Sequence, residues 1–342
     1  MMVGCQRPPV RPHHGPPRVR PQTGGRAEQP EPGVLLAGRY RLAELVGHGA
    51  TASVWRARDE LLDRDVAVKR FDQRDSHGLA EARMAARVRH PNVAAVHDLV
   101  QHGGSSCLVL DYHGGGTLAA LLRRARRLPP PIVAALGVQL LAALRAVHAA
   151  GVVHCDVKPA NLLLGADGRM VLIDFGIAET DSGQPAHPAR RDGDVVGSPP
   201  YMAPELVRGD PPRPPADLWS LGATLYTAVE GRSPFPEGDV APTLAAVLLD
   251  PPAPALQAGR LRPLLARLLV KEPTERPSHD AVHALLTDAY PAPPTAILAA
   301  PRGAADLPGA EPATTTAVLG QAGCSVRTVP FEAVPSAVQP TP

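Results

Sequence analysis

The sequence predicts an α+β chain of two unequal lobes, a small strand-rich one followed by a larger, mainly helical one. Three observations predict it. Residues 40–112 carry short apolar runs and alternating segments of strand length. Between residues 117 and 288 the apolar spacing becomes mainly helical. Proline marks the borders, with 41 among 342 residues against roughly 5% in average usage.

Eight prolines fall in residues 1–33, together with Arg7, Arg11, Arg18, Arg20 and Arg26. Such a segment buries too little apolar surface to offset its ordering entropy. Residues 1–37 are therefore expected to be a disordered Pro/Arg-rich tail. Residues 289–342, rich in Pro, Ala and Thr, are expected to be a second one. The small lobe then spans 38–112 and the large lobe 113–288.

The small lobe opens with strands at Tyr40–Val46, Ala52–Arg58 and Asp65–Phe71. Leu79–Arg89 has helical spacing, and Val93–Val100 and Cys107–Tyr112 are further strands. Helices follow at 117–126, 130–150, 216–230, 241–249, 261–270 and 278–288. A short hairpin, Leu162–Leu164 with Met170–Ile173, interrupts them. A cleft between two unlike lobes is a common place for a ligand.

Composition excludes several classes. A formal charge of +2 argues against nucleic acid or an anionic membrane as main partner. Cys5, Cys107, Cys155 and Cys324 show no C-x-x-C spacing, which fits a reducing cytoplasm and no zinc site. No apolar signal-peptide core follows Met1. The longest apolar stretch, Ile132 to Val153, is broken by Gln139, Arg145 and His148, so a buried helix is expected rather than a membrane span. His13, His14, His97 and His148 share no metal-ligand spacing and are expected to be structural or surface residues. Arg123-Arg124-Ala125-Arg126-Arg127 is expected to be a solvated basic face.

The chemistry-bearing residues come in order. Gly47-His48-Gly49 lies on a turn between strands, where backbone without side chains can approach phosphates. Val66-Ala67-Val68-Lys69 ends an apolar strand on a lysine, which needs an anion: Glu81 on the next helix, or a phosphate. His154-Cys155-Asp156-Val157-Lys158-Pro159-Ala160-Asn161 precedes Asp174-Phe175-Gly176. Asn161 and Asp174 offer oxygen ligands to Mg²⁺, and Asp156 can accept a hydroxyl proton. Thirty-two arginines stand against three lysines, yet Lys69 and Lys158 remain lysine. A compact ammonium differs from a guanidinium fork in reach and geometry.

These motifs, with Ala203-Pro204-Glu205, Asp217-Leu218-Trp219-Ser220-Leu221-Gly222 and Arg276-Pro277, resemble the eukaryotic-type protein kinases. Similarity is greatest to the bacterial Hanks-type serine/threonine kinases, over about residues 38–288. The resemblance implies the bilobal protein kinase fold: a small antiparallel sheet lobe with an αC helix, and a helical lobe. It implies transfer of the ATP γ-phosphoryl group to protein Ser/Thr hydroxyls in signalling, with autophosphorylation. ATP and Mg²⁺ are the implied cofactors, with Mn²⁺ open as a substitute.

Residue roles come with the resemblance. Asp156 becomes the base, Lys158 the stabiliser of the transferring group, and Lys69, paired with Glu81, the contact to the α- and β-phosphates. Val46, Gly47 and Gly49 cover the nucleotide, and Val54, Ala67 and Leu163 enclose the adenine. The backbone of Asp111-Tyr112-His113 meets the base edge, with Leu110 as gatekeeper. Asn161 and Asp174 become metal ligands. Ser198 stands where the family often has threonine. Protein substrates and ATP are the expected partners, with no nucleic acid, no integral membrane segment, and a homodimer left open. Many bacterial members carry a membrane span and a sensor after the kinase domain; none follows residue 288 here, so a soluble chain is expected.

Two positions depart from the family pattern. Ala52 stands for the third glycine of the loop, and Cys155 for the arginine of His-Arg-Asp. That arginine receives a phosphorylated activation loop in the family. Its replacement predicts activity independent of such phosphorylation. Cys155 is expected to be a small packed residue rather than a reactive thiol. The alternative to an active kinase is a pseudokinase scaffold, which usually lacks one of Lys69, Asp156, Asn161 and Asp174.

Overall fold

The computed structural model describes residues 31–48, 52–71, 82–165, 167–175 and 198–290, plus two-residue strands at 178–179, 185–186, 190–191 and 194–195. Both terminal tails beyond 31–290, with Gly49 and Glu81, lie outside the described residues.

One antiparallel sheet comprises β1 (Leu35–Leu36), β2 (Tyr40–His48), β3 (Ala52–Asp59), β4 (Arg64–Phe71), β5 (Val96–His102) and β6 (Ser105–Asp111). Its order is β1-β2-β3-β4-β6-β5. The β5–β6 hairpin turns on Gly103 and Gly104, both at positive φ, as a two-residue turn requires. β3 and β4 alternate: Trp55, Ala57, Val66 and Val68 bury into one core, with Leu36, Tyr40 and Leu42. Val54, Ala67 and Lys69 therefore share the opposite face.

Two boundaries move. β1 precedes residue 38, within the expected tail, because Leu36 is fully buried and Gly33 and Val34 bond to Leu42. The strand expected from Val93 begins at Val96. Val93 instead bridges Leu172, and Ala94 N–H donates to its carbonyl at 3.0 Å. That pairing belongs to the hairpin β7 (Leu162–Leu164) and β8 (Met170–Leu172).

The helical part holds α1 (Leu118–Ala125), α2 (Pro130–Ala149), α3 (Pro204–Arg208), α4 (Pro214–Glu230), α5 (Val240–Leu249), α6 (Arg262–Leu268) and α7 (His279–Ala289). Thr117 caps α1 by accepting Ala120 N–H, and Ser278 caps α7 by accepting Ala281 N–H. Prolines open α2, α3 and α4, where their missing N–H costs nothing. α4 is buried from Ala216 to Val229 and is the axis of the main core. Two glycines set its distances to neighbours. A Cβ on Gly222 would meet Leu268 Cβ at 2.7 Å, and one on Gly137 of α2 would meet Leu225 Cδ1 of α4 at 3.1 Å.

α2 is long and apolar enough to cross a membrane. Here it packs against α4 and α7, with Arg145 paired to Asp280. Gln139 accepts Met170 N–H and Asn92 Nδ2–H, joining α2 to β8 and to the turn that leads into the sheet.

Candidate active site

Two polar clusters meet at the ends of β4, β7 and β8. The first lies on the loop after α2. Asp156 Oδ2 accepts from Lys158 Nζ at 2.7 Å and from Asn161 Nδ2 at 2.8 Å. Asn161 Nδ2 also donates to Asp156 O, and the Asn161 side chain is buried in a 3₁₀ turn that Pro159 opens. Both nitrogen donors engage one carboxylate oxygen, so Oδ1 has no protein partner among the described residues.

The second cluster spans the two parts of the molecule. Lys69 Nζ donates to Asp174 Oδ1 at 3.1 Å and lies 5.2 Å from the centroid of the Phe71 ring. Burial pushes the Asp174 carboxyl up, but the Lys69 and Lys158 ammoniums hold it below the ordinary carboxylate value. Asp174 therefore stays ionised. Its φ of +56° is a left-handed conformation, unusual outside glycine. Ile173 N–H donates to Asn161 O at 3.0 Å, which sets Asp174 one residue from the first cluster.

Buried Asp217 on α4 shapes the loop from beneath. Its carboxylate accepts His154 N–H and Cys155 N–H, each at 2.8 Å, and faces His148 Nε2 at 2.7 Å. His154 is fully buried. Its Nδ1 accepts Asp156 N–H, so the proton sits on Nε2, which faces Ile173 O at 3.2 Å. Burial keeps this imidazole neutral, and its ring lies 4.9 Å from that of Phe175. Cys155 has φ +64°, and burial pushes its thiol well above the ordinary value.

Apolar residues line the sheet side. Val54 pairs with Lys69, and Ala67 with Leu110. Val46 lies at a bulge in β2, and Gly47 pairs with Val54. Asp111 ends β6; its carboxylate accepts Ala95 N–H and meets His97 Nε2 at 2.6 Å. His113 is kept neutral by burial, and its Nε2 has no hydrogen-bond partner among the described residues. Gly115 passes so close to β7 that a Cβ would lie 1.7 Å from Leu164 O. That contact, with the Thr117–Leu163 bridge, packs residues 115–117 against β7.

The structure thus brings together Lys69 with Asp174, and Asp156 with Lys158 and Asn161. Gly49 and Glu81 lie outside the described residues. Sequence reasoning missed His148 as the partner of Asp217 and Gly115 as a close-approach point. Only a three-glycine run, Gly114-Gly115-Gly116, signalled the latter. Glu205 and Arg276 form a buried two-pronged pair at 2.6 and 2.8 Å.

Compared with known families, residues 40–290 match the protein kinase domain. The chain is 37% identical over 308 residues to serine/threonine-protein kinase PknA of Mycobacterium tuberculosis, covering 84% of this chain and 70% of that protein. It is 34% identical over 272 residues to serine/threonine-protein kinase PkaA of Streptomyces coelicolor, covering 71% of this chain and 48% of that one. Serine/threonine-protein kinase pkn3 of Myxococcus xanthus is 33% identical over 267 residues, with 72% and 49% covered.

Proposed function

The chain belongs to the protein kinase family and is a serine/threonine protein kinase, and from that premise we propose which residues carry the transfer. Asp156 is the base. The observation that carries this is the engagement of its Oδ2 by Lys158 and Asn161, which leaves Oδ1 for a substrate hydroxyl. Lys158, already beside Asp156, balances charge on the phosphoryl group in transit. Lys69 binds the α- and β-phosphates, with Glu81 as its partner on an αC helix whose last turn is residues 82–85.

Protein kinases use ATP and a divalent metal. We assign the metal as Mg²⁺, held by Asn161 and Asp174. An amide oxygen and an ionised carboxylate are hard donors, which fits it. When bound, it neutralises phosphate charge. Val46, Gly47 and Gly49 cover the phosphates. Val54, Ala67 and Leu163 enclose the adenine, and the backbone of Asp111 and His113 meets its edge. Substrates are proteins; autophosphorylation and a signalling role belong to this proposal. We place the chain in the cytoplasm, where ATP is found and where Cys107 and Cys155, both free thiols, stay reduced.

Labelled ATP with Mg²⁺, given to the chain alone and with a generic basic protein, tests this beside Asp156→Asn. Transfer should fall at least about a hundredfold in the variant. Equal labelling by both proteins would remove Asp156 as base. No labelling by either, with nucleotide still bound, would favour a scaffold.

A further inference from the structure

We propose that His279 is a positioning residue for the catalytic loop: its bond to His148 Nδ1 holds the His148 ring so that Nε2 donates to Asp217, the carboxylate that clamps the loop, resting on Asp156 as the base assigned above.

The chain of contacts is continuous. His279 Nε2 lies 2.9 Å from His148 Nδ1, with the rings 5.0 Å apart and edge-on at 72°. His148 Nε2 lies 2.7 Å from Asp217 Oδ2. Asp217 holds His154 and Cys155, the two residues before Asp156. The contacts join α7, α2, α4 and the loop, and the His148 side chain is only 7% exposed.

Proton counting gives the role. Asp217 is ionised: burial pushes its carboxyl up, but the bond from His148 and the charges around it hold it below the ordinary value. A carboxylate has no proton to give, so His148 Nε2 must carry one. His148 Nδ1 and His279 Nε2 then face each other at a distance that admits one proton between them. In the neutral pair His279 donates. His279 thus supplies a donor to His148 Nδ1, and the two bonds together fix the plane of the His148 ring.

The surroundings keep His279 in the neutral, donating form. Burial disfavours a charged His279, as do the His148 ring and Arg145 of α2, while Asp280 of α7 and Asp217 of α4 favour it. His279 is also the first residue of α7, the positive end of the helix. His148 instead touches the Asp217 carboxylate, which also faces His154 of the loop. His279 thus acts as a neutral donor, and the bond it gives His148 steadies the clamp.

The test compares full-length His279→Leu and His279→Gln. Leucine leaves His148 Nδ1 without a partner; the glutamine amide reaches it but does not titrate. His279→Leu should lower kcat about fivefold while KM for ATP stays within about twofold. His279→Gln should restore most of kcat. Ring-nitrogen NMR should show one proton shared by His148 and His279 in the natural chain and in Asp156→Asn. An unchanged kcat in His279→Leu would overturn the proposal. So would equal losses in both variants that track the thermal midpoint, or ring-nitrogen signals without a bond between the two imidazoles. If Asp156→Asn turned over normally, the assignment of the base would fail while the imidazole signals still decided the coupling.

Discussion

At Cys155 position decides chemistry. The residue replaces a family arginine, and burial pushes its thiol well above the ordinary value. Cys107 is fully buried, and the same cause raises it to about 11. Both should be inert near neutrality. Alkylation mapped by mass spectrometry at pH 7.5 should label each at least about tenfold more slowly in the native than in the denatured chain. Equal rates at Cys155 would mark it as reactive. Its identity was legible in the sequence; its half-buried setting was not, because Asp217 of α4, whose carboxylate accepts its N–H, lies 62 residues on. The loss of the arginine carries a second prediction. Thr180→Ala with Ser182→Ala should leave transfer to a protein substrate within about threefold of the natural chain. Loss of that transfer would show that a phosphorylated loop is needed. Lys271, which had no role in the sequence, is a packing residue: its ammonium sits 4.3 Å from the centroid of the Phe235 ring and donates to Val247 O near the end of α5.

Elements depend on close approaches that periodicity does not display. The helices α1, α2, α4 and α7 lie within two residues of their expected bounds because capping and apolar spacing are local. What packs against each is not local. Gly222 is an ordinary residue of a helical stretch until α6 comes within reach. Gly222→Ala must push Leu268 away at its Cβ, so the helix itself has to move. It should cost about 1–3 kcal/mol, read as a lower midpoint in urea. A neutral or stabilising result would mean that α6 is free to shift. The strand expected from Val93 fails for the same reason. Residues 93–95 are apolar enough to extend β5, but β8 competes for their backbone and wins.

Across the whole molecule, two ion pairs, each on a buried carboxylate, tie separate segments together. Arg39 meets Asp59 through two bonds of 2.8 Å, and Arg276 meets Glu205. The Arg39 guanidinium outweighs burial and lowers the Asp59 carboxyl from 3.8 to about 2. A lowered folded value means stability present above pH 3.8 and lost as pH falls through about 2. Asp59→Asn should therefore unfold at lower denaturant than the natural chain at pH 7, with the gap closing across that acid range. A gap independent of pH would assign the loss to packing. Arg276→Ala leaves Glu205 buried and alone, and should cost about 3–5 kcal/mol. Replacing both with apolar residues of similar size should cost much less, as paired thermal melts would show. The sequence by itself determined the family, the order of elements and the residues that bear charge, because motif, capping and periodicity are written within a few residues of each other. Only the tertiary structure decided which carboxylate clamps the loop, which histidines join it, and which glycines cannot change. Those are contacts between segments far apart in the chain, and burial and hydrogen-bond partners exist only once the segments have met.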